Sequence, residues 1–129
     1  MKRQLDQVLQ FNTTFGCHME ADPTACPSAE VTDVRARLIE EELQEYRQAT
    51  ADGDLTKVAD VLADLMYVLL GTYVAHGLYP QAEALFDEVH PSNMAKLGDD
   101  GQPILSEDGK ILKPDNWEPP NLAAILGKE

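Results

Sequence analysis

Apolar side chains recur at helical spacing along most of this chain. Leu5, Val8 and Leu9 open the pattern, which predicts a first helix over residues 2–16 that stops at Gly16. A stretch with two prolines and no periodicity follows, as expected of a loop. The pattern then resumes in two long apolar segments.

These two segments predict a pair of long helices with a short turn between them. The first is capped by Ser28 or Thr32 and ends at Gly53. The second covers residues 55–76 and ends before Gly77. Its apolar residues surround it almost completely, which predicts a central, buried helix.

The C-terminal third is less regular. A helix is expected over residues 81–89 and again briefly after Pro91, with Ser92 as its cap. Alternating residues around Asp108-Gly109 predict a hairpin, and the chain ends with a last short helix. We therefore predict an all-α single domain over residues 1–129 with a small C-terminal β-hairpin.

Composition and charge restrict the function. With 23 acidic against 10 basic residues the net charge is −13, which disfavours a protein that binds nucleic acid or an anionic membrane. No signal peptide is evident, and the apolar run near residues 65–75 is expected to be too short to span a bilayer. These features predict a cytoplasmic protein. Cys17 and Cys26 form no CxxC motif, so we expect reduced, structural cysteines rather than a metal site with His18.

Acidic residues occupy unexpected positions on both long helices. Glu42 falls inside the apolar stripe of the first helix, with Glu41 and Glu45 at its edge. Asp60 and Asp64 lie four residues apart on the second helix, where their charges repel. A buried carboxylate without a partner is costly, so something positive must compensate.

Three accounts of this pattern remain open. The carboxylates could form an exposed stripe, or they could pair with Arg35, Arg37 or Lys57. In the third and favoured account, a divalent cation is bound by residues of both helices. Oxygen-only ligands suit Mg²⁺ or Mn²⁺, whereas a di-iron site needs two Glu-x-x-His motifs and the chain offers only one Asp-x-x-His, at residues 87–90. The proposed ligands are Glu42, Glu45, Asp60 and Asp64.

The sequence resembles the all-α nucleotide pyrophosphohydrolases, which include MazG, dimeric dUTPases and phosphoribosyl-ATP pyrophosphohydrolase. Residues 41–45, EELQE, match the family's EExxE motif, and Asp64 matches the last residue of its ExxD motif. Val61 stands where the family has glutamate, and Asp60 is the available substitute. The segment EVHPSNMAKLGDDGQPILSEDGKILKP and the early FNTTFG are also similar to MazG-like members, so the resemblance covers about residues 8–120.

This resemblance implies a four-helix bundle completed by a homodimer or homotetramer. It also implies Mg²⁺-dependent cleavage of a nucleoside triphosphate between its α and β phosphates, with Glu41 orienting or deprotonating the water. The alternative for Glu41 is a surface charge, or a carboxylate that contacts the ligand residues without contacting the cation. The rival functions are phosphoribosyl-ATP hydrolysis and a non-catalytic nucleotide-sensing oligomer.

Substrate contacts are expected from two regions. Asn12, Phe15 and Tyr67 are candidates for a base pocket, although for the phenylalanine we expect plain core packing instead. Four lysines and one asparagine are the candidates for phosphate contacts, although each lysine could equally be a solvated surface charge. These candidates are Lys57, Asn93, Lys96, Lys110 and Lys113.

Overall fold

The computed structural model describes residues 1–128, and these are mostly helical, as predicted. Five α-helices follow one another, with a 3₁₀ turn at Tyr79–Gln81 before the fourth. The helices are α1 (Lys2–Phe15), α2 (Ala29–Asp52), α3 (Leu55–Ala75), α4 (Ala82–Met94) and α5 (Leu122–Ile125).

Local signals explain where the long helices begin and end. The Ser28 hydroxyl accepts a hydrogen bond from the Val31 N–H at 3.1 Å and so caps α2. Gly53 ends α2 with a left-handed backbone, φ 66°. Asp54 then caps α3 by accepting a hydrogen bond from the Lys57 N–H at 3.0 Å. This two-residue connection makes α2 and α3 an antiparallel pair.

Two predictions for the C-terminal third are wrong. α4 continues through Pro91 to Met94, because the proline removes only one helical hydrogen bond there. Ser92 does not cap a new helix, and its hydroxyl donates to the Val89 carbonyl. No strand forms within residues 1–128. The expected hairpin is reduced to isolated antiparallel bridges, one between Leu105 and Ile111 and one between Leu97 and Pro103.

The chain divides into two compact units, Met1–Pro80 and the part from Gln81 onward. In the first, α1 and α2 both pack against α3. Its buried side chains come from all three helices: Leu5, Val8, Ala49, Val61, Leu70, Val74 and Ala75. In the second, the Trp117 indole donates to the Ser92 carbonyl at 2.6 Å, and the Asn121 N–H donates to the Glu88 carboxylate at 3.0 Å.

The loop between α1 and α2 is hydrogen-bonded to the C-terminal end of α3. The Thr24 N–H donates to the His76 carbonyl, and the His76 imidazole Nδ1 lies 2.9 Å from the Thr24 carbonyl. A Cβ at Gly77 would lie only 2.3 Å from the Asp22 carbonyl oxygen, so a residue with a side chain does not fit there. His76 is therefore a structural residue.

One face of α3 is apolar and exposed. Leu62, Met66 and Leu69 recur at helical spacing with 47%, 57% and 42% of their surface exposed. By length and composition alone, α3 as a whole is long and apolar enough to cross a bilayer, although the run near residues 65–75 by itself was predicted to be too short. The core helix of a soluble protein meets the same criteria, and the packing of α3 against α1 and α2 is consistent with that role.

Candidate functional site

The carboxylates of α2 and α3 meet where the two helices run side by side. Glu42 lies close enough to Glu45 and Asp64 for both to raise the pKa of its carboxyl. Its Oε2 atom is buried and has no hydrogen-bond partner. A buried carboxylate oxygen without a donor is unfavourable, so this position favours an added proton or a cation.

The electrostatics agree with that geometry. The pKa of the Glu42 carboxyl is raised, first because burial disfavours its charged form and then because Glu45 and Asp64 repel a further negative charge. Lys57 lowers this pKa but only as the smallest contribution. The raised pKa therefore reflects burial first and the neighbouring negative charges second.

Asp60 has a different partner from the other proposed ligands. Lys57 Nζ donates to Asp60 Oδ2 at 3.1 Å, and both side chains are about half exposed. This hydrogen bond is the largest cause of the raised Lys57 pKa, with Asp60, Glu45 and Asp64 adding attraction. The salt-bridge account thus holds for Asp60 alone, and Lys57 acts as a local counter-ion.

No group of three or more His, Cys, Asp or Glu side chains within residues 1–128 is already arranged to hold a metal ion. The donor set nevertheless fits one. Glu42, Glu45 and Asp64 are hard oxygen donors on two adjacent helices, and one of them has an unpartnered buried oxygen. Glu45 and Asp64 are exposed, which leaves their side chains free to turn toward an added cation.

Val61 and Glu41 occupy opposite kinds of environment. Val61 is fully buried at 0% exposure, so it belongs to the core of the first unit rather than to the carboxylate cluster. Glutamate at this position would place a charge among apolar side chains. Glu41 is exposed, and its role as the residue that orients water stays a prediction.

A cavity of about 500 Å³ lies among α1, α2 and α3. Asn12 and Tyr67, both predicted to contact substrate, line it together with Phe11. The Phe11 ring lies 4.5 Å from that of Phe15 and 5.5 Å from that of Tyr67, between ring centroids. Phe15 itself is 68% exposed and lies outside the core, contrary to the expectation of core packing.

Arg35 also lines this cavity, whereas the sequence suggested it only as a possible partner of the carboxylates. Its Nε donates to Thr72 Oγ1 at 3.2 Å and its Nη2 donates to the Val68 carbonyl at 2.8 Å. Burial lowers the pKa of its guanidinium, with Cys17 acting in the opposite direction. The only available signal was Gly71, since an apolar helix rarely keeps a glycine unless something approaches closely.

Apart from Lys57 on α3, the residues predicted to contact phosphate belong to the second unit. Lys113 Nζ lies 4.5 Å and Lys96 Nζ 5.7 Å from the centroid of the Trp117 ring. Both ammonium groups therefore gain cation–π stabilisation from one indole. Lys110 and Asn93 are exposed. Substrate binding by these four residues stays a prediction.

The sequence model of phosphoribosyl-ATP pyrophosphohydrolase matches residues 8–93. The chain belongs to this family. The family falls within the MazG-like all-α pyrophosphohydrolases, which confirms the resemblance drawn from the two acidic motifs. A comparison with curated proteins finds no match.

Membership of the phosphoribosyl-ATP pyrophosphohydrolase family identifies the chain as a pyrophosphohydrolase, a hydrolase that acts on phosphoric anhydrides. The matched residues include the carboxylates of α2 and α3, Asn12 and Asn93. Lys96, Lys110 and Lys113 lie beyond the match. The match therefore covers the helix pair and ends before these three lysines.

Proposed function

We propose that this protein is a Mg²⁺-dependent nucleoside triphosphate pyrophosphohydrolase that keeps the nucleotide pool clean. The reaction releases a nucleoside monophosphate and pyrophosphate by cleavage between the α and β phosphates. The observation that carries the proposal is the buried, unpartnered Glu42 oxygen beside Glu45 and Asp64, on the same helix pair that lines the cavity. Family membership supports the reaction type.

Each carboxylate has a role in this proposal. Glu42, Glu45 and Asp64 would hold the cation, and Asp60 would hold it only after separating from Lys57. Mg²⁺ or Mn²⁺ supplies neutralisation of phosphate charge and a more acidic bound water. Glu41 accepts a proton from the attacking water, and Lys57 offsets the charge of the carboxylates left on the helix pair.

The cavity and the carboxylates are spaced along one seam. Arg35 precedes Glu42 by seven residues on α2, and Gly71 follows Asp64 by seven on α3, which is about 10 Å along each helix axis. A nucleotide lying along this seam would place its base among Asn12, Phe11 and Tyr67 and its phosphates at the carboxylates. In this orientation, a cation bound by the carboxylates would offset the negative charge of the triphosphate chain.

A homodimer or homotetramer completes the proposal. The exposed apolar face of α3, formed by Leu62, Met66 and Leu69, is a surface that water solvates poorly. A second copy of the chain would cover it and would also supply the fourth helix of a bundle. We place the protein in the cytoplasm, and we expect neither nucleic acid nor membrane as a partner.

The test is pyrophosphate release from a panel of canonical and modified NTPs and dNTPs. Reactions contain Mg²⁺, Mn²⁺ or EDTA, and Glu42→Gln is compared with Glu40→Gln, an exposed neighbour on the same helix. Metal-dependent release that only Glu42→Gln abolishes is the expected result. Nucleotide binding without turnover would instead identify a sensing oligomer, and absence of both binding and turnover would refute the site.

Phosphoribosyl-ATP is the second candidate substrate, and the family match favours it directly. It shares the anhydride that is cut and differs in carrying a second ribose phosphate on the base. Including it in the same panel separates the two functions. Preference for phosphoribosyl-ATP over every NTP would replace nucleotide-pool cleaning with a biosynthetic hydrolysis.

A further inference from the structure

The cavity among α1, α2 and α3 combines apolar walls with two side chains that carry hydrogen-bond donors. Its volume of about 500 Å³ falls in the range of small-molecule pockets. Val8, Phe11, Val31, Val34, Leu38 and Tyr67 supply apolar and aromatic walls. Such walls suit a flat ring, and the polar groups must then decide which ring is accepted.

The first polar group is Asn12, whose side-chain amide is held deep in the cavity wall. Only 3% of this residue is exposed, and its Nδ2 atom is buried without a hydrogen-bond partner. An amide NH₂ left unpaired in an apolar wall is costly. A ligand that presents an acceptor to this group would remove that cost.

The second polar group is the Arg35 guanidinium, which is fixed in place by α3. Two of its nitrogens donate to Thr72 and to the Val68 carbonyl. Its remaining nitrogen, Nη1, has no hydrogen-bond partner within residues 1–128, and no carboxylate there lies within ion-pair distance of Arg35. A guanidinium has five N–H donors and no acceptor, so it too asks for acceptors.

Gly71 makes this arrangement possible. A Cβ at this position would lie 2.7 Å from Arg35 Nη2, which is closer than real contacts allow. Glycine in mid-helix is unfavourable by about 1 kcal/mol relative to alanine. Its presence here leaves the space that the guanidinium occupies.

Resting on the proposed function, we propose that Arg35 and Asn12 make this enzyme selective for nucleotides with keto bases. A keto base, such as hypoxanthine, guanine or uracil, presents a carbonyl oxygen where adenine and cytosine present an amino group. Both protein groups offer donors, so a carbonyl is bound and an amino group meets a donor. Glu30 also lines the cavity and could accept from a ring N–H, which keto bases carry next to the carbonyl.

The test uses matched nucleotide pairs that differ at this one position. The α,β-methylene triphosphates of inosine and adenosine, and of uridine and cytidine, are titrated by calorimetry with Mg²⁺ present. Since a mismatched buried donor costs about 1–3 kcal/mol, we expect the keto member of each pair to bind about fivefold to 150-fold more tightly. Equal binding, or preference for the amino member, would overturn the proposal.

Variants tie the preference to the named groups. Arg35→Met should reduce the keto preference to about threefold or less, whereas Arg37→Met, an exposed arginine on the same helix, should leave it unchanged. Gly71→Ala keeps Arg35 but displaces its guanidinium, so it should also reduce the preference even if Arg35→Met fails to fold. An unchanged preference in Gly71→Ala with the helical content intact contradicts the role of Arg35.

The outcome is separable from the proposed function. Glu42→Gln should abolish pyrophosphate release while keeping the keto preference in binding. A keto preference without turnover by the unaltered protein would sustain this inference and refute the hydrolase. Turnover without base discrimination would do the reverse.

Discussion

Replacing Met66 by glutamine tests whether the apolar face of α3 is covered by a second copy. Burial of a methionine or leucine side chain is worth about 1.5–3 kcal/mol, and Met66 is 57% exposed in the single chain. Covering the remaining half in a dimer therefore contributes about 1 kcal/mol per side chain. In a two-fold dimer the residue occurs twice, so Met66→Gln should cost about 2 kcal/mol, or about thirtyfold in the dimer Kd.

Sedimentation velocity across a concentration series measures this Kd directly. Leu62→Gln combined with Met66→Gln should cost about 4 kcal/mol, or about a thousandfold, provided the two positions act independently. Met19→Gln is the control, because Met19 is 42% exposed but lies in the loop between α1 and α2. A protein that is monomeric at every concentration would refute the oligomer. A dimer that Met66→Gln does not weaken would show that the apolar face of α3 is not its interface.

Three further predictions concern charge and the core. The pKa of Glu42 is raised, so the native state loses stability as the pH rises from the ordinary to the raised value of this pKa. In EDTA, the Tm of Glu42→Gln relative to that of the unaltered protein should therefore increase with pH across this range. Mg²⁺ should raise the Tm of the unaltered protein and leave that of Glu42→Gln unchanged. Val61→Glu should lower the free energy of unfolding, measured by urea titration, by about 3–5 kcal/mol because Val61 is fully buried. Ala63→Glu, at an exposed position, should change it little. An equal effect of the two substitutions would contradict the place of Val61 in the core. Trp117 is the only tryptophan in the sequence, so its fluorescence reports on the lysines that contact its ring. If tripolyphosphate binds these lysines and separates them from the indole, the fluorescence should change, and it should change less in Lys113→Met. An unchanged spectrum would contradict phosphate binding by the lysines.

The helices of the first unit were predictable because local chemistry determines them. Ser28 and Gly53 limit α2 through their own side-chain and backbone properties, without help from distant residues. Glu42 was also identifiable, since its place in an apolar stripe depends only on helical spacing. Its neighbours Glu45 and Asp64 then follow from pairing the two helices.

Other features depend on contacts that spacing does not reveal. Arg35 meets Thr72 across 37 residues of sequence, so its fixed position follows from the packed helix pair. Asp108-Gly109 does form a turn, but Ser106 and Asp108 bond to each other within it and only one bridge, Leu105 to Ile111, follows. Pro91 continues α4 because its effect is confined to one hydrogen bond near the helix end.

The loop between α1 and α2 packs against His76 and Gly77. This contact affects how the molecule folds and opens. α2 and α3 are joined by two residues, so they can pair early at a small entropic cost. α1 joins them only when Thr24 reaches His76, a contact across 52 residues. We therefore expect α1 to be a separate cooperative unit with faster amide exchange, so that the wall containing Asn12 forms last and opens first.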